Sequence, residues 1–219
     1  IQESRKSEPS EILAFATSAL RESKNGSDII TRINSEFELD LQVLSGEEEA
    51  SITFLAARRW HGWSSGRLLM IDIGGGSLEI ATGVNESPDL ALSLPLGALR
   101  LTKGFLVGDP FSRKSMNQLR DHIEQVLEEN LPASLQSHQA DLVIGTSKTL
   151  RTIARVASDW LGGEIDFIQL DRLSKMIPKL AEMTEIERAE LPGVSKTRAR
   201  QIVAGAIVTE SVMNKTGIK

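Results

Sequence analysis

No cysteine and no tyrosine occur in the 219 residues. The first absence removes disulfides, thiolate nucleophiles and cysteine-based zinc sites. It fits a reducing compartment, so a cytoplasmic location is expected. The second leaves aromatics at 4% of the chain, and the core must rest on Leu, Ile, Val and Ala. Histidine is scarce as well: His61, His122 and His138 lack metal-ligand spacing, so packing or surface roles are expected for them. No apolar run nears the roughly 20 residues that a membrane helix needs, and no membrane partner is expected. Residues 1–9 are polar and charged, unlike a secretory leader. A basic excess is missing too. The 25 Lys and Arg stand against 30 Asp and Glu, a net charge of −5. That argues against a nucleic-acid partner, while leaving room for local basic clusters that grip a polyanion.

What is present is ordinary for a globular chain: 40% hydrophobic and 25% charged residues. Residues 11–17 (EILAFAT) predict a buried strand, with Ser18 capping the helix that follows. Asn25-Gly26 is a turn signal, and Ser27 caps a second helix carrying Ile29, Ile30 and Ile33. Residues 39–44 (LDLQVL) alternate as a half-buried strand does. Ser45 then opens a helix through Trp60, with Glu47, Glu48 and Glu49 at its positive end. Residues 62–66 (GWSSG) read as a linker. Two apolar strands, 67–73 (RLLMIDI) and 78–84 (LEIATGV), flank Gly74-Gly75-Gly76-Ser77, and 90–96 supplies a third. Strand–turn–strand is a hairpin, not the strand–turn–helix of a dinucleotide site. Helices are expected at 97–105 and at 116–131, where Leu119, Ile123, Val126 and Leu127 share a face. A short strand at 141–145, a helix at 146–157 and a strand at 165–168 come next. Helices at 171–183, 185–190 and 195–213 complete the chain. The alternation argues an α/β fold.

Four segments carry chemistry. In the first, Asp72 precedes the glycine turn. Glycines let backbone N–H groups approach a phosphate, and Asp72 can hold a hydrated Mg²⁺. A glycine-rich hairpin with an incidental Asp explains the same residues. The second is Glu47-Glu48-Glu49, which reads either as a solvated helix start or as the source of one carboxylate that positions a water. Adjacent helical residues diverge by about 100°, and Glu49, which precedes Ala50, is the one expected to face inward. Third comes Arg21, whose forked guanidinium suits phosphate but equally suits an exposed surface. The fourth is Thr146-Ser147-Lys148, at a strand-to-helix junction. It reads as an N-cap or as an anion site.

In order, FATSALRESKN (15–25), LSGEEEA (44–50), MIDIGGGSLEIA (70–81), LPLGALRLT (94–102), VIGTSKTLRTIA (143–154) and LPGVSKTRARQIVAGA (191–206) resemble the exopolyphosphatase/guanosine-pentaphosphatase (Ppx/GppA) family over essentially the whole chain. The Ser-Lys-Thr wording resembles its actinobacterial members. The resemblance implies an actin-like, ribonuclease H-like duplicated α/β fold of two domains with a cleft between them. Residues 1–64 would be the remainder of the first domain and 65–219 the second. It implies Glu49 as catalytic base and Asp72 as metal support. Arg21, Gly74, Gly75, Gly76 and Ser77 would contact phosphate, with Thr146, Ser147 and Lys148 at the other phosphate-facing turn. Mg²⁺ or Mn²⁺ would be the cofactor. The implied enzyme is a phosphoanhydride hydrolase that releases terminal orthophosphate from polyphosphate, or the 5′-phosphate of guanosine pentaphosphate (pppGpp). A polyphosphate or alarmone sensor without turnover is the non-enzymatic alternative. Family members are commonly dimers, which leaves room for a homodimer.

The chain departs from that family in three ways. A D-x-G-[ST]-N phosphate loop expected some sixty residues before Phe15, and a C-terminal ALREG-like motif, are both absent, so a shortened form of a longer chain is expected. Ser147 and Lys148 replace glycines that admit a nucleoside in related folds. With Arg151 and Arg155 they tilt the reading toward a phosphate chain. Arg100, Lys103, Lys196, Arg198 and Arg200 either extend that basic track or are ordinary surface charge.

Overall fold

The apolar runs at 68–73 and 78–83 lie at the centre of the computed structural model, which describes residues 2–137 and 139–219. The chain begins with α1 (Gln2–Arg5), β1 (Ala14–Ala16), α2 (Ser18–Arg21), α3 (Gly26–Phe37) and β2 (Leu41–Val43). The long α4 (Gly46–His61) leads through a 3₁₀ turn (Trp63–Ser65) into β3 (Leu68–Ile73), β4 (Leu78–Gly83) and β5 (Leu90–Leu94). Then come α5 (Ala98–Phe105), α6 (Arg113–Asn130), α7 (Ala133–Gln136), β6 (Leu142–Gly145) and α8 (Lys148–Leu161). The last elements are α9 (Leu170–Glu182), α10 (Glu185–Ala189), α11 (Lys196–Ala199) and α12 (Ile202–Thr216).

The main sheet has the order β5-β4-β3-β6, antiparallel except where β6 joins β3 in parallel. Strand residues alternate between its faces. Leu68, Met70 and Ala81 meet Ala50, Phe54 and Ala57 of α4 on one face. Leu69, Ile71, Ile73, Leu78 and Ile80 join the larger core under the remaining helices on the other. Because both faces are covered, the two central strands read as near-continuous apolar runs. α12 is buried almost all round, which explains why residues 202–213 show no amphipathic period. A second, two-stranded sheet pairs β1 with β2 in parallel.

Several expected elements differ. The strand over 11–17 shrinks to three residues and is not buried. It pairs with β2 alone among the described residues, and Phe15 is 48% exposed. Thr17 and Asn25, not Ser18 and Ser27, occupy the cap positions of α2 and α3. No strand forms at 165–168. A Phe167 N–H to Glu164 carbonyl turn closes that segment and leaves Ile165 and Phe167 exposed. The single helix expected over 195–213 breaks into α11 and α12. The buried Arg188 guanidinium donates to the Ala199 carbonyl (2.8 Å), taking an acceptor that a continuous helix would use. Residues 62–66 are firmly tied. The buried Arg58 donates to the carbonyls of Gly62 (3.2 Å), Gly66 (2.7 Å) and Gly83 (2.9 Å) and to the Ser65 hydroxyl (3.0 Å).

Candidate functional site

β-sheet register lines up a row of polar side chains beneath the N-terminus of α4. Asp72 faces Glu79 across the β3–β4 hairpin, and Glu79 faces Ser93 on β5. Directly opposed residues in antiparallel strands point to the same face. Along β3 the alternation puts Asp72 on the face of Leu68 and Met70, the one that α4 covers. Ile71 is paired with Gly145 on β6, so the next residue, Thr146, falls beside Asp72. Its hydroxyl donates to Asp72 Oδ2 at 2.6 Å, and the Ser93 hydroxyl donates to Glu79 Oε1 at 2.9 Å. Thr146, Asp72, Glu79 and Ser93 thus span all four strands.

α4 starts with a capping box: Ser45 Oγ accepts from the Glu48 N–H, and the Glu48 carboxylate accepts from the Ser45 N–H. This consumes Glu48 and leaves Glu47 exposed, while the Glu49 side chain is only 22% exposed. Gly46 lets the helix end sit directly on β5, since a Cβ there would fall 2.2 Å from Ser93 Cβ. Arg21 arrives from α2. Its Nη1 donates to the Leu44 carbonyl at 2.6 Å and reaches Glu49 Oε2 at 3.5 Å. Arg21, Gly46, Ser77, Ser93 and Pro95 line a cavity of about 210 Å³.

Burial pushes all three carboxyl groups above their usual range. For Glu49 the Arg21 guanidinium opposes the rise and Asp72 adds to it. For Asp72 the Thr146 hydroxyl opposes it. Glu79 is pushed up to about 7 by burial, with the Ser77 hydroxyl opposing, Glu49 adding, Ser93 opposing and Asp72 adding. Glu49 and Glu79 therefore each feel another carboxylate.

The glycine turn is clamped from the side of α5. Ala98 and Arg100 N–H groups donate to the Gly74 and Gly75 carbonyls (2.9 and 3.0 Å), and Arg100 Nε donates to the Gly76 carbonyl (2.7 Å). None of the three turn glycines has a positive φ. The close approach of Gly97, whose Cβ would lie 2.2 Å from the Gly76 carbonyl carbon, holds the turn against α5.

Of the residues singled out from the sequence, Arg21, Glu49, Asp72, Ser77 and Thr146 converge. Ser147 caps α8 by accepting from the Leu150 N–H (3.1 Å), and Lys148 is exposed two residues beyond Thr146. Glu79 and Ser93 were not singled out. The signal for Glu79 was a lone charge inside the apolar run LEIA, at a position that a tight hairpin pairs with Asp72. His122 stacks on Phe105 with ring centroids 4.5 Å apart, His61 is exposed, and His138 lies outside the described residues. Among the described residues no cluster of three or more His, Cys, Asp or Glu is arranged to hold a metal. No helix of the described residues is long and apolar enough to cross a membrane.

The model of the Ppx/GppA phosphatase family matches residues 3–218. Exopolyphosphatase 1 of Mycobacterium tuberculosis is 46% identical over 213 residues, covering 95% of this chain and 62% of that protein. Its counterpart in Mycobacterium leprae is 45% identical over 213 residues, covering 95% and 63%. The chain thus spans a little over three fifths of the length of these curated relatives. Among solved structures, an exopolyphosphatase from Cytophaga hutchinsonii gives a TM-score of 0.81 at 24% identity, over 97% of this chain and 70% of that one. The Aquifex aeolicus Ppx/GppA family member gives 0.77 at 22% identity, over 99% and 70%. These two likenesses are of fold.

Proposed function

The chain belongs to the Ppx/GppA phosphatase family, and from that premise we propose that it releases terminal orthophosphate from inorganic polyphosphate by attack of water on phosphorus. The observation that carries this reading is the convergence of three carboxylates, the half-buried Glu49 and Asp72 and the buried Glu79, beside Arg21 and a clamped glycine turn. Glu49 takes a proton from the attacking water. Its raised basicity brings it nearer to working pH than an exposed carboxylate, which suits a general base. The new P–O bond forms from that water, the phosphoanhydride P–O bond breaks, and the remaining chain leaves with the electron pair. The fork of Arg21 holds the phosphoryl oxygens, and the turn at 74–77 offers backbone N–H groups to them.

Asp72 and Glu79 fit Mg²⁺ or Mn²⁺. They are hard oxygen donors side by side, Glu79 buried and Asp72 half-buried, neither makes an ion pair among the described residues, and each accepts from a hydroxyl. Two carboxylates are enough, because Mg²⁺ completes its shell with water and substrate phosphate. When bound, the ion neutralises charge that builds on the phosphoryl oxygens.

The actin-like pair of domains with a split near residues 62–66 agrees with this reading. Arg21 and Glu49 come from before that boundary; Asp72, Ser77 and Thr146 come from after it. Exposed Lys148 at the rim favours a phosphate chain over the nucleoside of guanosine pentaphosphate.

Orthophosphate release with Mg²⁺ tests the proposal, with long-chain polyphosphate and guanosine pentaphosphate offered separately. Faster release from polyphosphate is expected. Faster release from the nucleotide would reassign the substrate, and binding of either without turnover would make the protein a sensor.

A further inference from the structure

Two interior carboxylates of this protein are answered by arginines. The buried Glu210 pairs with Arg120, and the half-buried Glu49 lies 3.5 Å from Arg21. Asp72 and Glu79 are treated differently. Neither has a cationic side chain within ion-pair distance among the described residues. Their donors are neutral hydroxyls: Thr146 to Asp72 Oδ2 at 2.6 Å, and Ser93 to Glu79 Oε1 at 2.9 Å. An arginine would orient a carboxylate and cancel its charge. A hydroxyl orients it and leaves the charge in place.

Packing does not call for either hydroxyl. On β5, Leu90, Leu92 and Leu94 turn toward the large core, while Ala91 packs on the α4 side and Ser93 follows it there. Size at position 93 is limited by Gly46, on which a Cβ would fall 2.2 Å from Ser93 Cβ. Alanine, as at position 91, meets that limit without an oxygen. Thr146 is half-buried directly after β6, where valine has the same shape. The oxygens at both positions are therefore there for the carboxylates. Ser77, buried at the end of the glycine turn, is a further hydroxyl neighbour of Glu79.

A carboxylate oxygen that accepts a hydroxyl proton is fixed in direction. The group cannot swing round to offer both oxygens to one ion without giving up that bond. Asp72 Oδ1 has no protein donor among the described residues, so it is the oxygen left to face an ion. Mg²⁺ suits such single-oxygen ligands, because water and phosphate fill the rest of a small octahedral shell. Ca²⁺ is larger, gathers more oxygens and commonly takes both from one carboxylate.

We propose that Ser93 and Thr146 are positioning residues, which hold Glu79 and Asp72 as single-oxygen ligands and so set a preference for Mg²⁺ or Mn²⁺ over Ca²⁺. The presence of an ion in the row rests on the hydrolase reading above. The preference among ions rests on these two hydroxyls.

Equilibrium Mn²⁺ binding to the intact protein, followed by electron paramagnetic resonance without substrate, tests this. Mg²⁺ and Ca²⁺ are then added as competitors. Ser93→Ala and Thr146→Val are each expected to weaken Mn²⁺ binding about tenfold, the scale for losing a partner that orients a metal ligand. The advantage of Mg²⁺ over Ca²⁺ as competitor should shrink by about threefold or more. Thr146→Ser keeps the hydroxyl and should stay within about twofold of wild type on both counts. Thermal unfolding without added ion reads any loss of fold separately. Weakening with an unchanged order of competitors would overturn the preference, and Thr146→Ser behaving as Thr146→Val does would overturn the part of the hydroxyl. Tight Mn²⁺ binding that ignores both substitutions would sink this assignment and leave the ion in the row. A wild type that binds no Mn²⁺ would remove the ion from the row and this assignment with it.

Discussion

The two sheets of this protein are built to different degrees of burial. The four-stranded sheet is covered on both faces, and Leu68, Leu69, Met70, Ile73, Leu78 and Ile80 are completely buried. The β1–β2 pair is half covered. Across residues 6–45 only Ser18 and Gly26 are buried, and Leu13 and Phe15 stand in solvent. The candidate site straddles the two. Asp72, Glu79, Ser93 and Thr146 are planted on or beside the packed sheet, where neighbouring strands fix their spacing. Arg21 comes from the lightly buried part and is held mainly through the Leu44 carbonyl. The difference separates two settings: the packed sheet holds like charges together against their repulsion, while Arg21, proposed to grip the incoming anion, sits on a less buried element.

Cutting into each sheet should expose the contrast at its largest. Ile80→Ala leaves a cavity in the large core and is expected to cost about 2–5 kcal/mol in urea unfolding. Phe15→Ala removes an exposed ring and should stay within about 0.5 kcal/mol. Comparable losses at the two positions would mean that β1 is buried in solution by something beyond β2. Arg21→Ala should raise KM for polyphosphate and lower kcat/KM by about 10²–10³, the scale for loss of a charged transition-state donor. Thermal unfolding should barely move, because its neighbours are already half exposed.

Glu79 offers a pH-dependent probe of the rigid side. Burial raises its carboxyl to about 7 in the folded chain, above the ordinary value of 4.5. The folded state therefore binds that proton more tightly than the unfolded state. The resulting stability is full below the ordinary value and is lost as pH rises to about 7. Gln cannot ionise, so without Mg²⁺ Glu79→Gln should be more stable than wild type near pH 8, by at most about 3 kcal/mol. Chemical denaturation should show the gap closing near pH 4. A gap that does not change with pH would mean that Glu79 is solvated or already paired.

Much of the packed region was legible in the sequence. The hairpin was plain because two apolar runs flank three glycines, and the Ser45 cap fixed the start of α4. What escaped depends on pairing. The partnership of Asp72 with Glu79 and Ser93 is a matter of register, which no single strand displays. The segment at 165–168 has a strand's composition but no neighbouring strand to bond. Residues 195–213 contain no proline to break a helix, yet an arginine from α10 captures the Ala199 carbonyl and splits them. The GWSSG segment has a linker's composition, and the buried Arg58, a charge inside α4, helps to tie it down.

The central claim is that the carboxylate brought over the rigid row by α4 activates water. The most direct test is steady-state orthophosphate release from polyphosphate with Mg²⁺, wild type against Glu49→Gln, with kcat and KM resolved separately. A fall in kcat of about 10²–10⁴ with KM little changed is the predicted result, as expected for loss of a general base. A variant that keeps wild-type kcat would contradict the account, and Glu49 would then be only the partner that orders Arg21.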